Sequence, residues 1–250
     1  METRENNYLI MKELKLPEMA KLYIEQSKEP RYEDYSFDDR IAELLNREYD
    51  RRNDNTVKKR FKAANLSVSG ANLNDLNTSP ERKLPMNVLE KLKNNAYIKD
   101  KLNVIIIGAT GTGKTWLSCA YGSQACLEKY RVKYIRLPEL LTDLEDARIH
   151  GSYKSVLNSY CNHDLLILDD FLLNPVSDTE RSDIMEILEK RVDKKSTIFG
   201  SQVSPEGWHA RLGSGTIADA ILDRIIYSSY EILLQGKSLR EEYSRVKDTK

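Results

Sequence analysis

The stretch NVIIIGATGTGKTWLSCA, residues 103–120, constrains the fold of this chain more than any other part of its sequence. A run of branched apolar residues, typical of a buried strand, leads into a glycine-rich turn and then into a pattern typical of a helix. A strand, a tight turn and a helix in this order form one unit of a parallel β-sheet covered by helices. The sequence therefore predicts an α/β fold around this turn.

The turn itself matches in full the pattern G-x-x-x-x-G-K-[ST] of a phosphate-binding loop, the Walker A motif. Glycines let the backbone turn tightly and direct its N–H groups toward phosphate oxygens, and the positive end of the helix dipole adds to this attraction. Lys114 would reach the β- and γ-phosphates of a nucleotide, and the Thr115 hydroxyl would ligate Mg²⁺. The predicted nucleotide-binding residues are Gly108, Ala109, Thr110, Gly111, Thr112, Gly113, Lys114 and Thr115.

The run LLILDDF, residues 165–171, supplies the carboxylates that a magnesium–nucleotide site needs. Its four apolar residues predict a buried strand, and ligands of parallel sheets bind where the strands end. Asp169 would hold Mg²⁺ directly or through water, and Asp170 would orient or deprotonate the water that attacks the γ-phosphate. Two separate stretches of sequence thus predict the two halves of one site.

Several classes of protein share a phosphate-binding loop, including ATPases, GTPases, small-molecule kinases and nucleotide-dependent switches. The carboxylate pair favours hydrolysis over phosphoryl transfer, because the second acid is placed to handle water. The Asn-Lys-x-Asp run with which GTPases usually read guanine does not occur in the sequence, so ATP is the predicted nucleotide. A kinase is disfavoured because the sequence has no recognisable arginine-rich lid.

Short apolar runs alternate with longer helical patterns in the second part of the chain. The predicted strands are NVIIIG, VKYIRL, DLLILDD, STIFGS and YEILLQ, and their alternation with helices indicates a parallel sheet with helices on both faces. Residues 65–85 are rich in Asn, Ser, Gly and Pro, which favours a linker with short turns. The predicted divisions are a helical N-terminal domain at residues 1–68, a linker and entry to the core at 69–100, and an ATPase domain at 101–250.

The first hundred residues are typical of helices separated by polar breaks. Ser36, followed three residues later by Asp39, predicts the start of a helix. The spacing of the apolar residues after it predicts one apolar face, made of Phe37, Ile41, Leu44 and Leu45.

Composition gives no reason to expect a membrane protein. Basic and acidic residues number 39 each, and no apolar run approaches the roughly 20 residues that span a bilayer. The N-terminal stretch METRENNYLIMKELKLPEM lacks the continuous apolar region of a signal peptide. We therefore expect a cytoplasmic protein without a membrane partner.

The chain resembles the IstB/DnaC-like branch of the AAA+ ATPases, which comprises transposition helper proteins and bacterial helicase loaders. The resemblance is carried by LKLPEMA, YEDYSFDDRIAELLNREYDRR, the phosphate-binding loop, LLILDDF, SQVSPEGWHARLG and IADAILDRIIYSSYEILLQGKSLR. The order of SQ, WH, ADAILDR and GKSLR is more similar to IstB than to DnaC. The resemblance implies an AAA+ core, with a parallel five-stranded sheet, behind a small helical N-terminal domain.

The resemblance also implies roles for three residues that spacing alone does not identify. Gln202 corresponds to sensor 1 and would contact the attacking water or the γ-phosphate. Arg224 matches the arginine finger that enters the ATP site of the next subunit. Arg240 matches sensor 2 and would touch the phosphates of its own subunit. The second acid is Asp170 where many AAA+ proteins have Glu, which fits a slow switch better than a fast motor.

By resemblance, ATP assembles the subunits into a ring or spiral on double-stranded DNA, where the protein helps a transposase of the IstA kind to engage its target. DNA and oligomerisation would stimulate a slow ATPase. Two alternatives stay open: a DnaC-like loader of a replicative helicase, and a nucleotide-gated binding module with little hydrolysis.

Two segments carry candidate DNA-binding residues. Residues 47–62 contain seven basic and three acidic residues, and such a run can follow a duplex backbone without reading its sequence. The segment between the second and third strands is the other, since the resemblance places an extra helix there against DNA. The candidates are Arg51, Arg52, Lys58, Lys59, Arg60, Lys62, Arg148 and Lys154.

Overall fold

The computed structural model describes residues 2–236, 238 and 239. Its α-helices are α1 (Glu2–Glu13), α2 (Pro17–Gln26), α3 (Phe37–Ala64), α4 (Met86–Lys93), α5 (Ala96–Lys99), α6 (Lys114–Leu127), α7 (Leu137–Ile149), α8 (Tyr153–Cys161), α9 (Asp178–Arg191), α10 (Pro205–Arg211) and α11 (Thr216–Ile226). Its strands are β1 (Asn103–Gly108), β2 (Val132–Arg136), β3 (Leu165–Asp169), β4 (Ser196–Ser201) and β5 (Ser229–Leu234). Short 3₁₀ helices lie at Pro30–Tyr32, Leu73–Asp75 and Pro80–Arg82. Among the described helices, none has the length and apolar character needed to cross a membrane.

The chain divides into two compact units, with the boundary between Lys59 and Arg60, inside α3. The first unit is helical, as the sequence predicts, and its fully buried apolar core is small. That core consists of Leu22, Tyr32 and Leu44. The limits predicted at residues 68 and 100 stay predictions.

The start of α3 is capped as the sequence predicts. The Ser36 hydroxyl accepts the N–H of Asp39 at 3.1 Å and donates to the Asp39 carboxylate at 2.6 Å. The predicted apolar face is wrong at two of its four positions, since Phe37 is 76% exposed and Leu45 is 55% exposed, whereas Leu44 is buried. The predicted apolar face of α3 is therefore wider than the part of the helix that the small core of this unit buries.

The second unit is built on the predicted parallel five-stranded sheet, in the order β2-β3-β4-β1-β5. The fourth strand in the chain, β4, is inserted between β1 and β3, so Phe199 lies opposite both Ile105 and Leu168. All paired strands run in the same direction, so their carboxyl ends meet at one edge. The loop after β1 and the carboxylates after β3 therefore lie at the same edge of the sheet.

Alternate residues of the central strands enter two separate apolar cores, one on each face of the sheet. Ile106 and Ile167 face the core that includes α4, α5 and α6. Ile105 and Leu168 face the core that includes residues of α7 to α11. Helices thus cover both faces, and the predicted α/β class is confirmed.

The segment 65–85, although rich in polar residues, packs against the core of the second unit through its apolar side chains. Ala71 is buried, and Leu66, Val68, Leu73 and Leu76 pack on the same apolar cluster as α6. The segment contains the 3₁₀ helices Leu73–Asp75 and Pro80–Arg82, which agree with the predicted short turns. It forms one wall of the site described below.

Arg191, the last residue of α9, is buried with 1% of its surface exposed and joins α8 to the start of β4. Its guanidinium donates to a hydroxyl and to several backbone carbonyls. The acceptors are Thr197 Oγ1 at 3.0 Å, the carbonyls of Cys161 at 3.0 Å and His163 at 2.8 Å, and the carbonyls of Tyr160 and Ser196. Burial lowers the pKa of Arg191 to about 10, so it stays charged at neutral pH.

Replacing Arg191 by Met should lower the free energy of unfolding by about 3 kcal/mol, because the buried carbonyls lose a charged donor. Urea unfolding followed by tryptophan fluorescence measures this, because Trp208 is buried in the same unit. The neighbouring exposed variant Lys190→Met should change stability by less than about 0.5 kcal/mol. Equal unfolding midpoints for the two variants would refute a structural role for Arg191.

Candidate nucleotide-binding site

The phosphate-binding loop connects β1 to α6 through glycines, two of which have a backbone conformation that other residues adopt only at a cost in free energy. Gly111 and Gly113 have φ angles of 83° and 95°, in the left-handed region that glycine tolerates. A Cβ on Gly108 would lie 2.5 Å from Thr112 Oγ1, so the first glycine of the motif is required by close packing. The motif therefore specifies the shape of this turn as well as its chemistry.

Lys114 is the first residue of α6 and lies folded against the loop. Its side chain is buried, and Nζ donates to the carbonyl of Ala109 at 2.9 Å. The ammonium group is thus held at the loop itself, at the positive end of a helix, where a phosphate would be bound.

Asp169, at the end of β3, forms a hydrogen bond with the last residue of the phosphate-binding motif, Thr115. Its Oδ2 accepts the hydroxyls of Thr115 at 2.6 Å and Tyr134 at 2.8 Å. Its Oδ1 is buried and has no hydrogen-bond partner among the described residues. Burial, and then the charge of Asp169, raise the pKa of Tyr134, so its hydroxyl remains a proton donor.

The residues around Asp169 fit a magnesium ion. Mg²⁺ takes oxygen ligands and is usually held by one or two carboxylates together with phosphate and water. The Asp169 oxygen that has no partner within the described part of the chain and the adjacent Thr115 hydroxyl provide this donor set. Gly200 leaves room for the carboxylate, since a Cβ there would lie 2.6 Å from Asp169 Oδ1.

Asp170 is held by an arginine that sequence reasoning did not identify. Its Oδ2 accepts Nε and Nη2 of Arg136, each at 2.8 Å. The φ angle of Asp170 is 51°, which is uncommon outside glycine and turns the chain sharply after β3. Arg136 ends β2 and lies opposite Asp169 in the sheet, at the edge where ligands of parallel sheets bind.

Gln202 follows β4 and lies beside the loop. Its Oε1 accepts the hydroxyl of Thr110 at 2.8 Å. The preceding residue, Ser201, is held by two hydrogen bonds of its hydroxyl. The hydroxyl accepts one from Trp208 Nε1 at 3.0 Å and donates one to the carbonyl of Phe171 at 2.7 Å. Gln202 is therefore joined to the loop, and its sensor 1 assignment stays a prediction.

These groups line one open cavity of about 790 Å³, within the range of small-molecule sites. The phosphate-binding loop forms part of its wall, and residues of the segment 65–85 form another part. Its lining residues are Ser67, Val68, Asp75, Asn77, Arg82, Thr110, Gly111, Gly113, Lys114, Thr115, Trp116, Tyr134, Arg136, Asp169, Asp170, Gln202 and Leu239.

Sequence reasoning missed the contributions of β2 and of the segment 65–85. Tyr134 and Arg136 lie at the carboxyl end of β2, so the rule that strand ends meet at one edge could have identified them. Ser67, Asp75 and Asn77 carry no such signal, because nothing in their local pattern indicates that the segment folds back to the loop.

Of the two arginines whose roles the resemblance implies, one lies elsewhere in the described structure. Arg224, in the last turn of α11, donates to the carbonyl of Ala220 at 2.8 Å and to Glu189 at 3.4 Å. It does not line the cavity of its own chain. Arg240 lies outside the described residues, and its sensor 2 assignment stays a prediction.

The predicted DNA-binding residues of the first unit differ in their surroundings. Arg51 and Arg52 both donate to the buried carboxylate of Glu48, at 3.2 Å and 3.1 Å from their Nε atoms. Lys58 and Lys59 are exposed. The two lysines are therefore more accessible to a duplex than the two arginines.

In the second unit, the predicted basic residues lie at different places. Arg60 donates from Nε to the carbonyl of Lys129 at 3.0 Å, and Lys62 is exposed.

Arg148 donates to the buried carboxylate of Asp183 at 2.7 Å and lies over the ring of Tyr153. Lys154, on α8, is exposed. Arg148 thus has a defined partner inside the unit, whereas Lys154 faces solvent.

Comparison with known proteins connects this site to ATP binding. The family model described as IstB-like ATP binding protein matches residues 10–247. A Sinorhizobium fredii protein named "Putative insertion sequence ATP-binding protein y4pL" is 37% identical over 227 residues, which are 91% of this chain and 92% of that protein. A Pseudomonas fluorescens protein named "Insertion sequence IS1162 putative ATP-binding protein" is 36% identical over 191 residues, 76% of this chain and 83% of the relative.

Solved structures of replication proteins have the same core fold. The DnaC helicase loader matches with a TM-score of 0.52 and 22% identity, over 71% of this chain and 99% of that one. AMPPCP-bound DnaA from Aquifex aeolicus matches with a TM-score of 0.57 and 22% identity, over 71% of this chain and 57% of that one. At these identities the likeness shows the fold alone, and that fold agrees with the predicted parallel five-stranded core.

Replacing Gly200 by Ala should weaken the magnesium-dependent part of ATP affinity about tenfold, because the new Cβ displaces the Asp169 carboxylate. ATP affinity without Mg²⁺ should change little, because the atoms nearest to the new Cβ all belong to Asp169 and none to the phosphate-binding loop. Titration calorimetry with Mg²⁺ or with EDTA separates the two quantities. Gly207→Ala, whose Cβ would instead meet Val203, is the control, and equal magnesium dependence in both variants would contradict the assignment.

Proposed function

The chain belongs to the family of IstB-like ATP binding proteins, and we propose that it is an ATPase that assembles on double-stranded DNA and assists a transposase. The observation that carries the proposal is the contact between the two motifs: Thr115 of the loop donates to Asp169, whose other oxygen has no partner among the described residues. This is the arrangement that a magnesium–nucleotide site needs.

In the proposed reaction, the loop binds the phosphates of ATP through its backbone N–H groups and Lys114. Thr115 and Asp169 would hold Mg²⁺, which when bound neutralises charge on the phosphate oxygens. The part of the cavity wall formed by Ser67, Asp75 and Asn77 offers polar groups for the rest of the nucleotide.

Asp170 and Gln202 are the residues we propose for handling water. Water bonds to the γ-phosphorus as the bond to the β,γ-bridging oxygen breaks, which yields ADP and phosphate. Asp170 would accept a hydrogen bond from that water, and its pair with Arg136 fixes the orientation of the carboxylate. Gln202 would contact the same water or the γ-phosphate, from the strand next to β3.

Arg224 is proposed to act on the ATP site of a neighbouring subunit. It does not line the cavity of its own chain, which is consistent with this role, because an arginine finger supplies positive charge in trans. In the single chain, Glu189 accepts a hydrogen bond from it, and assembly would exchange this partner for phosphate. ATP would thereby link neighbouring subunits into a ring or spiral.

The relatives favour a transposition helper over a helicase loader. Those that share 33–37% of their residues with this chain are named for insertion sequences, and an insertion-sequence setting favours a transposase of the IstA kind as partner. The DnaC likeness is one of fold alone. We accordingly propose that the protein acts in the cytoplasm, at sites where a transposase engages target DNA.

Exposed lysines are the best candidates for contact with the DNA backbone. Lys58, Lys59, Lys62 and Lys154 are exposed and can approach phosphates without breaking a buried ion pair. Arg148 would have to leave Asp183, which is 3% exposed and would lose a charged partner.

The protein should sediment with a DNA duplex of ~50 base pairs as a large complex in ATP but not in ADP, and raising the salt should weaken that complex. Lys114→Ala should not form it, because it lacks the cation that holds the phosphates. Analytical ultracentrifugation in both nucleotides, at moderate and high salt, measures this. Protein that stays monomeric and off DNA in ATP would defeat the assembly part of the proposal.

Arg224→Ala should bind ATP with normal affinity yet lose DNA-stimulated turnover by about a thousandfold or more. Mixing it with Lys114→Ala should restore turnover, because the second variant keeps Arg224 and the first keeps its own ATP site. Phosphate release from each variant and from the mixture is the measurement.

The matched control for Arg224→Ala is Glu189→Ala, which breaks the same ion pair from its other side. It should hydrolyse ATP normally if Arg224 acts in trans. Equal losses in the two variants, without recovery on mixing, would assign Arg224 a structural role within its own subunit.

A further inference from the structure

Arg82 is a buried cation that contacts the phosphate-binding loop and is absent from both sequence motifs of the site. It ends the 3₁₀ helix Pro80–Arg82, and 7% of its surface is exposed. Nη2 donates to the carbonyl of Thr112 at 2.7 Å, and Nη1 donates to the carbonyl of Asn77 at 3.0 Å. One guanidinium thus joins the loop to the segment 65–85.

The Thr112 carbonyl belongs to a peptide group that matters for phosphate binding. In a trans peptide the C=O and the next N–H point in opposite directions, so holding the carbonyl of Thr112 also orients the N–H of Gly113. That N–H belongs to the row of loop amides that cradles phosphates. Arg82 therefore sets the direction of a phosphate-binding donor without itself needing to touch the nucleotide.

This loop needs such a restraint because of its glycines. Gly111 and Gly113 flank Thr112, and glycine populates left-handed and right-handed conformations about equally. Peptide groups next to glycine can rotate at low cost, which would turn the donor away from the site. A charged hydrogen bond of 2.7 Å to the carbonyl opposes this rotation.

The second contact of Arg82 extends the restraint to the cavity wall. Asn77 lines the cavity together with Asp75 and Ser67. The side chain of Asn77 accepts the N–H of Ser79 at 3.0 Å, which fixes the turn that presents its carbonyl to Arg82. The loop and this wall segment therefore share one guanidinium as their common support.

We propose that Arg82 is a positioning residue of the nucleotide site: it holds the loop in its phosphate-binding shape and couples nucleotide occupancy to the order of residues 65–79. The inference rests on the proposed binding of ATP at this loop and adds a regulatory link to it. A segment ordered by nucleotide through Arg82 offers partners a surface that reports which nucleotide is bound.

The test compares Arg82→Gln with Arg82→Lys and with Glu81→Gln, an exposed neighbour on the same 3₁₀ helix. Arg82→Gln should weaken ATP affinity about tenfold, because a neutral amide replaces a charge-assisted donor. Arg82→Lys should lose less, since an ammonium can still reach one carbonyl. Glu81→Gln should bind like the wild type.

Hydrogen–deuterium exchange at saturating ATP is the readout that a purely structural role would not change. In the wild type, ATP should slow exchange both in the loop and in residues 65–79. In Arg82→Gln, with the loop fully occupied, residues 65–79 should exchange as fast as without ATP. If Arg82→Gln does not fold, ATP affinity and the exchange rate of residues 65–79 in Arg82→Lys test the inference instead.

Unchanged ATP affinity and unchanged protection of residues 65–79 in the Arg82 variants would overturn the inference, provided that the wild type binds ATP and Lys114→Ala does not. A wild type that fails to bind ATP would instead refute the proposed function. The two failures therefore give different results in the same set of measurements.

Discussion

The contact between Thr115, in the helix that follows β1, and Asp169, at the end of β3, is the one around which the rest of the site is arranged. β4 lies between β1, which leads into the loop, and β3, which ends at Asp169. The hydroxyl and the carboxylate are 54 positions apart in the chain and 2.6 Å apart in space. Gly200 makes this possible, because any side chain at that point of β4 would occupy the space of the carboxylate. The site thus depends on a residue that contributes no functional group.

The parts of this fold that sequence reasoning predicted are those with strong local signals. Each predicted strand is a short apolar run. β1 and β4 have the predicted bounds, and β2, β3 and β5 differ from the predictions by one residue at one or both ends. The phosphate-binding loop could be predicted from its glycines and its lysine, because few other structures require those residues at that spacing. Strand order has no local signal, and nothing in the sequence of β4 indicates that it lies between β1 and β3. The importance of Gly200 depends on that order, so no local pattern could reveal it.

The missed residues separate into those that a rule could find and those that only the structure shows. Arg136 ends a parallel strand beside Asp169, so a rule about strand ends applies to it. Arg82 lies in a segment whose composition favours a linker, yet Ala71 and its apolar neighbours bury that segment against the core. In the basic run, Glu48 binds Arg51 and Arg52, a partner that the charge of the run alone did not reveal. The assignment of this run to DNA binding stays a prediction.

Asp170 and Gln202 come from different strands but share one support. The N–H of Phe171 donates to the carbonyl of Gly200 at 2.8 Å, and its carbonyl accepts the Ser201 hydroxyl at 2.7 Å. Asp170 precedes Phe171 and Gln202 follows Ser201, so both are one residue away from this bridge. Trp208 supports the bridge, since its indole N–H donates to Ser201 and its ring packs edge-on against Phe171. A buried aromatic cluster thereby supports the neighbouring backbone positions of Asp170 and Gln202, the two residues that are proposed to bind one water molecule.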